Sequence, residues 1–248
     1  MGPSGSGKTT LIQHLNGLLR PTSGAVLLDG LDLADRRTDL NEVRRRIGLV
    51  FQLPETQLFE ETVFADVAFG PKNLGLCGSR LESAVAAAME RVGLSFDAYR
   101  NRSPFHLSGG EKRRAALAGV FAMEPEWIVL DEPTAGLDWE SSIRVESILS
   151  GFHGTGRSVL FISHDMDLVA RLAERVILLE KGRVQYDGPV RPFFLSDQPQ
   201  RAGLGRPSVT AAMESFKSRG IPVRTDVLTM EEAEAELRRA AGLGAIQD

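Results

Sequence analysis

The sequence predicts an α/β fold: a mainly parallel sheet flanked by helices and led by a phosphate-binding loop. Three observations carry that reading. Gly2, Pro3, Ser4, Gly5, Ser6, Gly7, Lys8 and Thr9 satisfy the pattern G-x-x-x-x-G-K-[ST] at every fixed position. Short apolar runs at residues 47–51, 127–130 and 159–162 alternate with helical stretches, the pattern of a parallel sheet covered on both faces. Each run delivers residues able to do chemistry: Gln52, then Asp131 with Glu132, then Ser163 with His164. Ligands of open α/β sheets sit at those strand ends.

The phosphate loop comes first. Its glycines let backbone N–H groups turn toward a polyphosphate without side chains in the way. Lys8 can reach the β- and γ-phosphates, and Thr9, followed by Thr10, can place its hydroxyl on Mg²⁺. Residues 9–19 read as a helix whose positive end faces the phosphates. Residues 25–29 form a short strand closed by Gly30. A helix at 40–46 carries Arg44, Arg45 and Arg46, a cluster more often solvated than bound to nucleic acid. Strand 47–51 then delivers Gln52. Helix 62–69 stops at Gly70-Pro71, and helix 79–92 is amphipathic through Leu81, Val85, Ala88 and Val92. Residues 104–107 lead into Ser108, Gly109 and Gly110, which open a helix reaching about Met123. Strand 127–130 ends in Asp131, Glu132 and Pro133. Helix 143–149, strand 159–162 and helix 168–173 follow, then a strand pair, 176–179 with 184–186, around Lys181-Gly182.

Apolar periodicity stops near residues 196–207, where Pro and Gly recur, so a boundary falls at about residue 200. Beyond it, helices 209–219 and 230–241 flank residues 221–227 in an appendage too small for a large core. The expected division is 1–200, with a helical subdomain at about 53–123, and 201–248 as a small α+β appendage.

Composition bounds the function classes. With 248 residues, 42% hydrophobic and 25% charged, the chain is an ordinary globular protein. A net charge of −4 argues against whole-chain affinity for nucleic acid or anionic lipid. Its apolar runs are too short to span a bilayer. One cysteine, Cys77, cannot form an internal disulfide, which fits a reducing compartment.

Several residues point to phosphoryl chemistry, each with a plainer alternative. Asp131 closes a buried strand where a nucleotide-bound Mg²⁺ needs a carboxylate; it also fits a turn-forming aspartate before Pro133. Glu132 can polarise an attacking water, or be a surface acid. His164 can donate to a γ-phosphate, or be structural. Gln52 can contact Mg²⁺ or the water, or be a surface residue. Ser108, Gly109 and Gly110 offer a hydroxyl and open N–H groups at a helix start, which is either an anion site or a simple cap. His14 lies on the polar side of the first helix, and His106 and His153 have no metal-ligand partners at workable spacing.

Taken together, these motifs resemble the nucleotide-binding subunit of ATP-binding-cassette transporters across about residues 1–190. The phosphate loop, Gln52, Leu107-Ser-Gly-Gly-Glu111, Asp131-Glu132, Ala135-Gly-Leu-Asp138 and His164 occur in that family's order. The resemblance implies an ATPase with ATP and Mg²⁺ as cofactors. Glu132, His164 and Gln52 would be catalytic, and Thr9, Gln52 and Asp131 would hold the metal. Residues 2–10, Ser108, Gly109, Gly110 and Asp138 would contact nucleotide. It further implies a head-to-tail dimer, the Leu107-Ser-Gly-Gly-Glu111 signature of one subunit closing over ATP on the other.

A narrower likeness is to the energy-coupling-factor group, which powers uptake of vitamins or of cobalt and nickel ions. It rests on Phe51-Gln-Leu-Pro-Glu-Thr-Gln-Leu-Phe59, on Glu61 to Pro71, on Ala118 to Pro125, and on Gly220-Ile-Pro-Val223. The implied partners are a second ATPase subunit, a membrane scaffold and a substrate-binding membrane subunit, with the chain peripheral on the cytoplasmic face. Gln57, Phe59 and Phe64 would touch the scaffold, unless the two phenylalanines belong to the core. Two departures stand out. Glu111 replaces the family's usual Gln, and the strand and adenine-stacking aromatic that the family places before the loop are expected upstream of Met1. Soluble cassettes of DNA repair carry a long coiled-coil insertion, and those of translation carry two cassettes. Here the interval between motifs is short and one phosphate loop is present. An inert fragment is the remaining alternative.

Overall fold

A computed structural model describes residues 1–52 and 57–242. The chain forms two compact units, Thr9–Ile162 and Met1–Lys8 with Ser163–Asp248. No helix among the described residues is long and apolar enough to cross a membrane.

In the first unit, helix α1 (Lys8–Leu15) ends four residues before the expected Leu19. The chain turns left-handed at Gly17, and the Leu18 and Leu19 N–H groups both return to the Gln13 carbonyl. The Asn16 side chain also accepts from the Leu18 N–H, so local capping ends the helix early. The expected strand at 25–29 is a hairpin, β1 (Leu27–Leu28) with β2 (Leu31–Asp32). Asp29 and Gly30 form its two-residue turn at φ 50° and 83°, the left-handed pair that such a hairpin needs. Helix α2 (Leu40–Arg46), capped by Asp39, leads to the fully buried strand β3 (Ile47–Val50).

Helix α3 (Val63–Asn73) corrects a third expectation by running through Gly70 and Pro71. Gly70 serves contact instead of termination, since a Cβ there would lie 2.7 Å from Met123 Sδ. Helices α4 (Gly78–Arg91) and α5 (Phe96–Tyr99) and a 3-10 turn (Pro104–His106) precede α6 (Gly109–Phe121). Strand β4 (Trp127–Asp131), helix α7 (Trp139–His153) and strand β5 (Ser158–Ile162) complete the unit.

The sheet is parallel, in the order β3-β4-β5, with Val50 beside Leu130 and Asp131 beside Ile162. Ile12 of α1 packs on Ile47, Leu49, Val129 and Ile162. Helix α6 lies close over β3, because a Cβ on Gly48 would meet Val120 Cγ1 at 2.2 Å. Phe121 and Phe152 stack between α6 and α7 at 5.1 Å. Burying each ring is worth roughly 2–3 kcal/mol.

In the second unit, Asp165 caps helix α8 (Met166–Leu172). Strands β6 (Arg175–Glu180) and β7 (Arg183–Pro189) pair antiparallel around Lys181-Gly182, as expected. Helices α9 (Val190–Leu195), α10 (Gln198–Arg201), α11 (Ser208–Ser218) and α12 (Met230–Ala240) follow. Met213, Val223, Val227 and Ala233 form a small core of their own. The described part of the appendage is helical and carries no strand, contrary to the α+β expectation. In and just after the linking segment two N–H groups are met by side chains, Arg224 N–H donating to Glu236 and Leu228 N–H to Glu232, while Ile221 and Val223 donate to backbone carbonyls.

Candidate nucleotide site

The loop at residues 2–8 is built as a cradle. Gly2 has φ 145°, and a Cβ there would sit 2.0 Å from the Leu179 carbonyl oxygen, so no other residue fits. Met1 bridges β6, its amino group donating to the Ile177 carbonyl and its own carbonyl accepting from Leu179 N–H. Gly2 is thus held against a strand, an anchorage expected only from residues upstream. Gly182 N–H donates to the Ser6 carbonyl, and Ser6 N–H to that of Pro3. Lys8, only 9% exposed, donates from Nζ to the Gly2 carbonyl at 2.8 Å and the Pro3 carbonyl at 2.9 Å. Its ammonium group is pre-positioned over the loop. The Ser6 hydroxyl is buried without a hydrogen-bond partner among the described residues. An orphaned hydroxyl in the same loop that a buried ammonium grips suits a polyphosphate.

In the unit Thr9–Ile162, Thr9 Oγ1 donates to Asp131 Oδ2 at 2.7 Å, joining residues 122 apart in sequence. Asp131 is 7% exposed and closes β4. Hydroxyl and carboxylate oxygens together form a hard donor set of the kind Mg²⁺ takes. Glu132 is buried and left-handed, with φ 51°, and its N–H donates to the Ile162 carbonyl at 2.9 Å. Gln52 is exposed, and its backbone carbonyl accepts from Arg113 Nη2 at 3.0 Å.

Ser108 opens α6 with a reciprocal cap: it accepts from Glu111 N–H, and Glu111 Oε2 accepts from Ser108 N–H at 2.8 Å. Tyr99 Oη–H donates to Glu111 Oε1 at 2.7 Å. The Ser108 N–H and the Tyr99 hydroxyl hold the Glu111 carboxyl below the usual carboxylate range. Asp138 caps α7, accepting from Ser141 N–H and Oγ–H, and the N–H contact holds its carboxyl low. A Cβ on Gly110 would lie 2.6 Å from Ser141 Oγ, so the starts of α6 and α7 touch. In the other unit, His164 is exposed between Ser163 and Asp165; Ser163 Oγ accepts from Asp165 N–H.

Most of the expected residues fall into three groups: the cradle with Lys8, the Thr9–Asp131–Glu132 cluster, and the capped starts of α6 and α7; Gln52 and His164 belong to none of them. Arg113, Tyr99 and Ser141 were missed: the partners of Arg113 and Tyr99 lie 12 to 61 residues away, whereas Ser141 bonds Asp138 only three positions back and was open to a capping argument. Two of the basic triplet are ion-paired, Arg45 on Glu42 and Arg46 on Glu126 and Asp29. His14 and His153 contact the carbonyls of Leu19 and Arg157. Of the presumed scaffold contacts, Phe59 is 57% exposed and pairs edge-on with Phe69, whereas Phe64 packs on Phe96. Residues 53–56 of that run lie outside the described residues.

The ABC transporter family matches residues 1–135 of this chain. An energy-coupling factor transporter ATP-binding protein, EcfA2 of Symbiobacterium thermophilum, is 53% identical over 96% of this chain and 83% of its own length. The structure of CbiO1 from Clostridium perfringens, described as part of the ABC transporter complex CbiONQ, superposes with a TM-score of 0.73. It is 32% identical and covers 89% of this chain and 85% of that one. A dimeric, post-hydrolysis structure of the ATP-binding cassette MJ0796 with ADP and Pi reaches 0.68 at 29% identity, over 77% and 83% of the two chains. The cradle, the strand-end carboxylates and these likenesses agree: the chain belongs to the ABC transporter family of ATPases, in the energy-coupling factor and cobalt-import group.

Proposed function

We propose that this chain hydrolyses ATP at a cassette dimer interface and so drives uptake of a vitamin or transition-metal ion through membrane subunits. The observation that carries the reading is the 2.7 Å bond from Thr9 Oγ1 to Asp131 Oδ2. It joins the last residue of the phosphate motif to a strand-end carboxylate.

Residues 2–10 bind the ATP phosphates, with the loop N–H groups and the Ser6 hydroxyl as donors. Lys8 exchanges its carbonyl partners for phosphate oxygens and neutralises charge there. Thr9, Asp131 and Gln52 hold Mg²⁺, which when bound neutralises charge on the β- and γ-phosphates. The Glu132 carboxylate takes a proton from the attacking water as its oxygen bonds to the γ-phosphorus and the bridging P–O bond to ADP breaks. His164 donates to a γ-phosphate oxygen, and Gln52 helps align the water. Ser108, Gly109 and Gly110, with Asp138, meet the nucleotide held by a second ATPase subunit. That subunit is a copy of this chain or a related ATPase.

The exposed Phe59–Phe69 pair supports a scaffold contact just beyond Gln52. On this reading the protein lies peripherally on the cytoplasmic face of the membrane, with residues 1–200 as cassette and 201–248 as appendage. The self-contained cluster around Met213 and Val227 supports that division. Glu132→Gln tests the catalytic assignment. Turnover of the assembled transporter should fall at least about 100-fold with ATP binding intact; wild-type turnover would remove Glu132 as the base.

A further inference from the structure

Arg113 is an unusual side chain for a helix core: the residue is only 5% exposed, in the second turn of α6. Nη1 donates to the carbonyls of Glu132 at 2.8 Å and Pro133 at 2.6 Å, and Nη2 to that of Gln52 at 3.0 Å. One rigid fork therefore fixes three backbone carbonyls on two separate strand exits. The exits of β3 and β4 are where the chain has placed Gln52 and Glu132.

Glu132 gives the contact its meaning. It is held at φ 51°, a left-handed conformation that is unfavourable for a glutamate and persists only where its surroundings impose it. Three sets of contacts do so, one of them the local turn bond from Ala135 N–H to the Glu132 carbonyl at 3.2 Å. On the N-terminal side its N–H donates to the Ile162 carbonyl. On the C-terminal side Arg113 grips the two successive carbonyls of residues 132 and 133. The direction in which the Glu132 carboxylate leaves the strand end depends on both peptide planes. Lysine cannot replace the fork, because an ammonium is a point donor without two arms at a fixed spread.

We propose that Arg113 is a positioning residue for the general base. It holds Glu132 in its left-handed conformation and ties the base and the Gln52 exit to α6, whose first residues carry the signature. The proposal rests on the reading of Glu132 as base. Arg113 touches no substrate; it acts through the backbone of residues that do.

The test uses the full chain in its assembled transporter, with Arg113→Met, Arg113→Lys and Glu132→Gln in parallel. Arg113→Met retains the apolar stem and loses every donor. A misplaced base should lower its kcat about 30- to 100-fold, with KM and equilibrium ATP binding within about twofold, because the cradle and Lys8 are untouched. Arg113→Lys, which can still serve one arm, should recover part of that loss. Wild-type kcat in both Arg113 variants would overturn the proposal, as would a parallel loss of kcat and ATP affinity, the mark of a merely structural residue. Glu132→Gln separates the two levels. Full turnover there removes the base itself, whereas lost turnover there beside unaffected Arg113 variants removes only Arg113.

Discussion

Glu111 is the residue whose replacement separates folding from function most sharply. Its carboxylate takes two donors, Ser108 N–H at 2.8 Å and Tyr99 Oη–H at 2.7 Å, and lies in the first turn of α6. Glu111→Gln keeps one acceptor oxygen, so one of the two bonds survives and the charge is lost. A negative charge in a first turn is worth about 0.3–1 kcal/mol, and a net hydrogen bond about 1 kcal/mol. Because the group is partly exposed, the combined loss is about 1 kcal/mol, or about 2–4 °C in Tm for a chain this long. ATP binding should move the other way. The same helix start is the proposed cradle for a γ-phosphate, and removing a resident anion should lower the KM for ATP about two- to fivefold.

The pH dependence follows from the lowered carboxyl of Glu111. Its stabilising contribution is complete above the ordinary glutamate range, about 4.3, and is lost as pH falls through the lower folded value. Glu111→Gln should flatten the acid limb of stability. Thermal scans between pH 3 and 8, with ATP titration of the steady-state rate, measure both effects. A variant that is more stable than wild type, or that binds ATP more weakly, would refute the reasoning.

Two further outcomes are expected. Gly2→Ala places a Cβ 2.0 Å from the Leu179 carbonyl oxygen at φ 145°, so it should abolish measurable ATP binding in equilibrium dialysis; near-normal affinity would show that the loop tolerates a side chain. Thr9→Val strips the donor from buried Asp131 and should cost about 1–3 kcal/mol in urea unfolding, with Thr9→Ser restoring most of it. Equal stability of the Val and Ser variants would mean that the bond contributes nothing.

What the sequence determined by itself was local. Residues 2–9 are contiguous, so glycine positions and the following helix were enough to read a phosphate-binding pattern there. The Ser108–Glu111 cap, the Asp39 cap and the pair around Lys181-Gly182 are likewise set by residues within a few positions of one another. Fold class followed from short apolar runs, because both faces of the sheet are covered. The Asp29-Gly30 turn was equally legible in principle; a two-residue strand is simply too short to show alternation.

Tertiary structure decided the rest, because it depends on which distant groups the sheet register brings together. Gly70-Pro71 carries every local mark of a helix end, yet the close approach of Met123 Sδ gives that glycine a packing role and α3 continues. The Thr9–Asp131 bond spans 122 residues and exists only because α1 packs against the sheet whose middle strand ends at Asp131. Arg113 reads in sequence as one more cation in a basic stretch. Only the parallel register of β3 and β4 puts the exits at Gln52 and Glu132 within reach of a single guanidinium. Short-range geometry is encoded in neighbouring residues, whereas the partners of a buried charge are chosen by packing.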